Sequence, residues 1–70
     1  MKYVGIKQVT KNVKEGNVNV VYFAEDAEPH VIEKLLKICK EKQIEIIHIK
    51  TMTELGKMAG IDVGTSCMAE

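Results

Sequence analysis

The sequence contains no arginine and no tryptophan, and its aromatic side chains are one phenylalanine and two tyrosines. Proteins that bind single-stranded nucleic acid by stacking bases use exposed aromatic rings, so this composition excludes an extended stacking platform. The ten cationic side chains are all lysines, and ten acidic residues balance them to a formal net charge of zero. A neutral chain lacks the strongly cationic tail and the polybasic membrane anchor that adhere to anionic partners nonspecifically.

Cysteines and long apolar runs are also scarce. Cys39 and Cys67 are far apart and do not form a CxxC motif, and Cys39 stands among apolar neighbours in a helical pattern. This arrangement predicts two reduced, buried thiols rather than a disulfide framework. No stretch approaches the length of a membrane span, and the N-terminus has no apolar signal core. We therefore expect no membrane partner and a cytoplasmic location.

Catalytic patterns are missing as well. His30 and His48 are isolated, and Ser66 has no partner pattern for a nucleophilic triad. The glycines form neither GxGxxG nor a P-loop, and no group of side chains has metal-ligand spacing. The sequence thus predicts a protein that is not an enzyme and that binds no metal or cofactor.

Charge is unevenly distributed along the chain. Residues 1–14 carry four lysines and no acid, a charge of +4. Residues 15–49 carry seven acids and four lysines (−3), and residues 50–70 carry three acids and two lysines (−1). A neutral protein with one cationic end favours a local, oriented contact over broad electrostatic adhesion.

Periodicity and turn residues predict helices that alternate with strands. Thr51 and Glu54 fit a capping box, and Pro29 fits the first position of a helix. The expected order is a helix between Gly5 and Gly16, a strand Val18–Ala24, a helix from Pro29, a strand Ile44–Ile49, a short helix from Thr51 to Gly60, and a segment 61–70 that begins as a loop and could end as a short third strand.

This α-β-α-β-α-(β) order predicts an α/β protein. Strands that are joined by crossover helices imply a mainly parallel sheet with helices on its faces, here a small three-layer α/β/α sandwich in one domain that spans residues 1–70.

Two surface features have alternative interpretations. The lysines of the first helix, Lys7, Lys11 and Lys14, are by themselves typical of a solvated helix face. The segment 60–64 places two apolar side chains between glycines, and these could belong to the core or to a contact surface. Helix N-termini and the loops after parallel strands cluster at one end of an α/β sheet, so we expect both features at the same end.

Three segments carry a family resemblance, and they appear in order at suitable spacing. They are Gly5-Ile-Lys-Gln-Val-Thr-Lys11, Ala24-Glu-Asp-Ala-Glu-Pro29 and Glu54-Leu-Gly-Lys-Met-Ala-Gly-Ile-Asp-Val-Gly64. With them the chain resembles the L-seven-Ae superfamily of RNA-binding proteins from Gly5 to about Cys67. The resemblance implies an α/β/α sandwich that binds kink-turn RNA, and its variant motif is similar to the bacterial branch.

The resemblance implies roles for the first helix. The family motif Gly-x-Asn-Glu-x-x-Lys contacts the tandem sheared G·A pairs of the kink, and here Lys7 and Gln8 replace Asn and Glu. Their donors and the glutamine acceptor remain suited to guanine and adenine edges. Lys11 matches the motif lysine and would bind guanine or phosphate. Gly5 would let the RNA backbone approach the helix N-terminus, where free N–H groups favour phosphate.

The resemblance also implies contacts with extruded nucleotides. Glu28 and Ile32 match the acidic and apolar walls of a pocket for a loop nucleotide. Met52 lies where many members carry lysine, which makes that contact apolar here. The family's apolar loop, which packs on unstacked bulge nucleotides, corresponds to Ile61, Asp62, Val63 and Gly64.

The implied partner is structured RNA with a kink-turn, in ribosomal RNA or a riboswitch-like RNA and not in DNA, and we expect a monomer. A protein-interaction module of the same fold is the alternative, because some superfamily members serve mainly for protein contacts. Only residues 1–4 precede the motif, and the C-terminus stops where a longer apolar strand is expected. These departures are typical of a minimal member or an incomplete chain.

Overall fold

Four strands alternate with three helices along residues 2–70, the part of the chain that the computed structural model describes. Met1, one of the four residues that precede the motif, lies outside the described residues. The elements are β1 (Tyr3–Val4), α1 (Ile6–Lys14), β2 (Val20–Ala24), α2 (Pro29–Glu41), β3 (Glu45–Ile49), α3 (Met52–Ala59) and β4 (Cys67–Ala69).

The sheet has the order β1-β4-β2-β3 and is mixed. Strands β2 and β3 pair in parallel, as the crossover helix α2 requires. Strand β4 lies between β1 and β2 and is antiparallel to both. Two of the three strand pairings are thus antiparallel, and the expectation of a mainly parallel sheet is wrong in this respect. Strands β1, β2 and β3 nevertheless all run in the same direction. The reversed strand β4 separates β1 from β2.

The shortest strands account for this difference. Strand β1 has two residues and was not predicted, because a pair of residues shows no periodicity. Strand β4, the third strand that the sequence left open, has three residues, and all three are buried. A strand so deeply buried belongs inside a sheet rather than at its edge, yet three apolar residues cannot reveal which neighbours they pair with.

The helices form the outer layers of an α/β/α sandwich, which confirms the predicted fold class. Helices α1 and α2 pack against each other, and α3 packs on β2, β3 and β4. The core lies between these layers and the sheet. Its largest fully buried side chains are Leu35, Leu55, Met68, Val9, Val13 and Val21.

Local signals define where the helices begin and end. Pro29 occupies the start of α2, and the Thr51 hydroxyl accepts a hydrogen bond from the Glu54 N–H (3.1 Å), as the capping-box pattern predicts. Gly60 ends α3 in a left-handed conformation with φ of 78°. Strands β1, β2 and β3 end, and β4 begins, at the same edge of the sheet, so all three helices start there. We call it the helix-start edge.

Both cysteines are free and buried, as predicted. Burial raises the pKa of the Cys67 thiol to about 11 and also raises that of Cys39. Because thiolates are the reactive form, these two side chains act as small core residues rather than as reactive groups.

Candidate nucleic-acid interface

The start of α1 is open at the helix-start edge. Gly5 is its N-terminal cap with φ of 92°, a conformation that favours glycine, and its N–H donates to the Cys67 carbonyl of β4 (3.1 Å). No side chain of the described residues caps this helix, and its first turn has no acid. A Cβ built on Gly5 meets no atom within 4 Å, so a ligand can approach the backbone closely. The positive end of the helix dipole is therefore available to an anion.

The solvent face of α1 carries the polar side chains that the sequence predicts to contact RNA. Lys7, Gln8 and Lys11 are all exposed, whereas Val9 and Val13 on the opposite face are fully buried. Within residues 2–70, the ion pairs shorter than 4.0 Å are two histidine–glutamate pairs, and no lysine takes part. The lysine charges of α1 are thus not neutralised inside the protein.

The other two helix starts are acidic instead. The Asp26 carboxylate accepts a hydrogen bond from the Met52 N–H (2.8 Å), and Thr51 caps the same helix. Helix α3 therefore already has anionic and hydroxyl caps. The cap of α2 is Glu28, which is itself an acid. Of the three helix starts, that of α1 favours a phosphate most strongly.

The loop 61–64 projects an apolar side chain from the helix-start edge. Val63 is 70% exposed, whereas Ile61 is half-buried, so the contact-surface interpretation is favoured for Val63. The loop is held against α3, because the Ile61 N–H donates to the Gly56 carbonyl (3.0 Å) and the Val63 carbonyl occupies the space where a Gly56 Cβ would lie. Sequence reasoning did not assign this role to Gly56. The signal that could have indicated this close packing is the presence of a glycine inside a helix, where glycine is unfavourable.

Met52 lies next to the same loop. A Cβ on Gly64 would come within 3.1 Å of the Met52 Cβ, and the Thr65 N–H donates to the Met52 carbonyl (3.2 Å). Met52 is 36% exposed. It therefore adds a second apolar side chain beside Val63. Asp62 is exposed in the middle of this loop, and Gly64 allows the close approach of loop and helix.

Ile32 and Glu28 are placed differently from each other. Ile32 is almost fully buried and lines a hollow of about 200 Å³ at the end of β2, together with Glu25 and Glu33. Glu28 is exposed, and its carboxylate lies 3.2 Å from the ring of His30. Carboxylates do border the Ile32 hollow, but they belong to residues that the sequence did not single out.

Hydrogen bonds join these segments into one surface. The Ala24 N–H donates to the Ser66 carbonyl (2.9 Å), so the end of β2 holds the segment before β4. The Glu25 N–H donates to the Ile49 carbonyl (2.8 Å), which joins the ends of β2 and β3. The Gly5 bond to Cys67 attaches α1 to the same strand. The expected placement of the lysine helix and the apolar loop at one end of the sheet is observed.

Among residues 2–70, no group of three or more His, Cys, Asp and Glu side chains is arranged to hold a metal ion. The same residues contain no helix with the length and apolar character needed to cross a membrane.

The fold and this edge define a small α/β/α binding module. The chain belongs to the Ribosomal protein L7Ae/L30e/S12e/Gadd45 family, whose profile matches residues 3–70. The resemblance predicted from three short segments is therefore confirmed. The family is non-enzymatic, and the named relatives are RNA-binding and ribosomal proteins, which confirms the prediction that the chain is not an enzyme.

The relatives include proteins from several kinds of organism. An RNA-binding protein of Caldanaerobacter subterraneus subsp. tengcongensis is 49% identical over 69 residues, which cover 99% of this chain and 84% of that protein. Large ribosomal subunit protein eL8 of Halobacterium salinarum is 36% identical over 66 residues, which cover 93% of this chain and 55% of that protein. The solved Giardia lamblia 15.5kD RNA binding protein superposes with a TM-score of 0.90 at 25% identity, covering 97% of this chain and 57% of that one.

Proposed function

We propose that this protein binds RNA through the helix-start edge and recognises a kink-turn, the bent motif with a bulge and tandem sheared G·A pairs. The names of its bacterial and Giardia relatives support RNA as the ligand. The kink-turn is supported by the motif that begins at Gly5 and by the geometry of α1 and the loop 61–64.

A single observation carries the proposal: the uncapped, lysine-bearing start of α1 and the exposed Val63 lie on one edge. A phosphate would bind at the N–H groups of the first turn of α1. Lys7 and Gln8 would donate to guanine and adenine edges in the widened groove of the G·A pairs, with Lys11 beside them. Val63 would cover the apolar face of an unstacked bulge nucleotide.

The remaining candidate residues would border the bulge. Met52 would extend the apolar surface of Val63, and Asp62 and Gly64 would shape the loop between them. Ile32 would form a wall of the hollow for an extruded base, and Glu28, which does not line this hollow, would accept hydrogen bonds from a base outside it. A chain without a stacking platform can bind in this way because the RNA itself exposes single bases at a bulge.

A bending assay tests the proposal directly. An RNA duplex with a three-nucleotide bulge and tandem G·A pairs carries a donor and an acceptor dye at its two ends. Added protein should increase energy transfer, because binding stabilises the bent form. The control RNA has G·C pairs in place of the G·A pairs and should not bend. Identical transfer with and without protein would reject kink-turn recognition.

Paired variants then locate the contact. Replacing Lys7 and Gln8 with alanine should weaken binding at least about tenfold, since each base contact contributes on the order of 1–3 kcal/mol. The matched control replaces Lys42 and Gln43, an exposed pair just after α2 that also carries one charge, and should change affinity much less. Equal losses in both double variants would assign the binding to general electrostatic attraction.

The physiological RNA is part of the same proposal. The Halobacterium relative is named as a ribosomal protein, so ribosomal RNA is one target class, and a riboswitch-like RNA is the other. We propose that the protein meets this RNA as a monomer in the cytoplasm. Sequencing the RNA that crosslinks to the protein in cells would identify the target.

A further inference from the structure

A second concave surface lies beside the helix-start edge, between α1 and α2. The two helices border a groove of about 320 Å³. Ile6 and Thr10 line it from α1, Val31 and Ile38 line it from α2, and the buried Leu35 lies at its floor. The four wall residues are only half-buried. The groove therefore offers aliphatic surface to a partner.

One residue of this groove, Val31, does not pack against the core. Ile6 and Ile38 pack against the core cluster, whereas Val31 is not among the half-buried side chains that do so. A half-exposed valine on a helix gains little stability from its position, and valine is a weaker helix former than the polar long-chain residues. Val31 thus contributes to the groove rather than to the fold.

The spacing of the walls suits a third helix. Val31, Leu35 and Ile38 follow each other at i, i+4 and i+7 on α2, and Ile6 and Thr10 are four residues apart on α1. Two adjacent helices with such stripes form a groove that accepts the apolar face of an amphipathic helix. The 13 residues of α2 are about 20 Å long, which matches a partner helix of three to four turns.

The rim of the groove is cationic. Lys14 and Lys34 line it from opposite helices and are exposed. His30 lines its end near the start of α2, where the Glu28 carboxylate lies 3.2 Å from the ring. No carboxylate belongs to its lining, and no lysine of residues 2–70 lies within 4.0 Å of a carboxylate oxygen. The outer side of α1 continues this charge with Lys7 and Lys11. An occupant with carboxylates beside its apolar stripe would complement both features.

We propose that the α1–α2 groove docks an acidic amphipathic helix of a partner protein. RNA fits this surface less well, because four of its lining side chains are aliphatic and its one aromatic ring, that of His30, lies 3.2 Å from the Glu28 carboxylate, which repels a phosphate. A second copy of the chain fits poorly too, since presenting α1 or α2 to the groove would bring lysines against lysines. The docking site is separate from the proposed RNA contacts of the loop 61–64.

The test uses designed peptides as probes. An amphipathic peptide of about four turns carries a leucine stripe flanked by glutamates, and a control peptide has lysine at every glutamate position. Fluorescence anisotropy should show the acidic peptide binding at least about tenfold tighter. In NMR spectra of the protein, the shifted amides should be those of Thr10, Val31 and Ile38. Equal affinity of the two peptides, or shifts elsewhere, would overturn the proposal.

Variants separate this site from the RNA site. Lys34→Glu should weaken the binding of the acidic peptide about tenfold. Lys37 is exposed but does not line the groove, so Lys37→Glu should have a smaller effect. Val31→Gln should also weaken the peptide while it leaves every charge, and hence RNA bending, unchanged. Equal effects of the two lysine variants would overturn the docking site and leave RNA binding untouched.

Two further observations would reassign the groove. If kink-turn RNA shifts the amides of Val31 and Ile38 more than the acidic peptide does, the groove belongs to the RNA site. If sedimentation shows a dimer that Val31→Gln abolishes, the groove is a self-association surface. Either result contradicts the docking of a partner helix.

Discussion

Gly5 and Gly16 stand at the two ends of α1, and both have a positive φ angle. Their φ angles are 92° and 76°, and a Cβ on either residue meets no atom within 4 Å. An alanine at either position is therefore strained by conformation alone. The cost is about 1–2 kcal/mol for a left-handed residue, and up to about 3 kcal/mol at Gly5, whose φ of 92° and ψ of 155° lie in a region almost confined to glycine. The two glycines differ in place, because only Gly5 lies at the helix-start edge.

This pair gives a controlled prediction for the RNA contact. In urea titrations, Gly16→Ala should lower the free energy of unfolding by about 1–2 kcal/mol and Gly5→Ala by up to about 3 kcal/mol. Only Gly5→Ala should weaken kink-turn RNA in anisotropy titrations, because its methyl group lies where a phosphate would approach α1. Unchanged RNA affinity in Gly5→Ala would show that the start of α1 is not a contact.

At this scale, the sequence predicted residue types better than partners. Thr51 and Pro29 act as their local patterns predict, because capping depends on residues a few positions apart. Asp26 could not be assigned in this way, since its carboxylate caps α3 across 26 positions of sequence. Contacts between distant segments depend on the tertiary fold, which local patterns do not encode.

At the scale of elements, the loop 61–64 and α3 form one unit through Gly56. Gly56→Ala should move the loop, because its methyl group would collide with the Val63 carbonyl. We expect a cost of about 1–3 kcal/mol from overpacking, reduced by up to about 1 kcal/mol from the better helix propensity of alanine. RNA affinity should fall as well, since Val63 would leave its position.

Thermal unfolding and RNA titrations would measure both effects. Lys57→Ala is the matched control, because Lys57 is the exposed neighbour of Gly56 on the same helix. It should leave the loop in place and the stability nearly unchanged. A stabilised Gly56→Ala protein with full RNA affinity would mean that the loop tolerates displacement.

The elements also show where prediction stops. Helices α1 and α2 and strands β2 and β3 were predicted because their periodicity extends over several residues. Strand β2 starts at Val20 rather than Val18, although Val18 is buried. Strands β1 and β4 are too short for any period, and the pairing of Tyr3 with Ala69 joins opposite ends of the sequence.

For the whole molecule, a net charge of zero limits the electrostatic part of RNA binding. Residues 1–14 supply a charge of +4, and Lys7, Lys11 and Lys14 are exposed on one helix. RNA binding should therefore release about three or four counterions. The logarithm of the affinity should then fall with the logarithm of the salt concentration with a slope of about that magnitude. Titrations over several salt concentrations would measure it. A slope typical of heavily cationic proteins, about six to ten, would contradict a local contact.

The molecule as a whole separates its two proposed surfaces by chemistry. The helix-start edge combines an open helix start with an exposed aliphatic loop, and the α1–α2 groove combines an aliphatic floor with a lysine rim. Composition alone placed the cationic charge near the N-terminus. It could not distinguish these surfaces, because they adjoin on α1, where Lys7 and Lys11 lie next to the groove residues Ile6, Thr10 and Lys14.

The direction of β4 also decides how the protein can be tethered. The strand starts at the helix-start edge and runs away from it, so Glu70 lies beside Val20, at the far end of the sheet. A linker attached at Glu70 would leave the molecule on the side opposite the proposed RNA surface. Immobilised through that residue on a sensor chip, the protein would present its candidate interface outward to the solution.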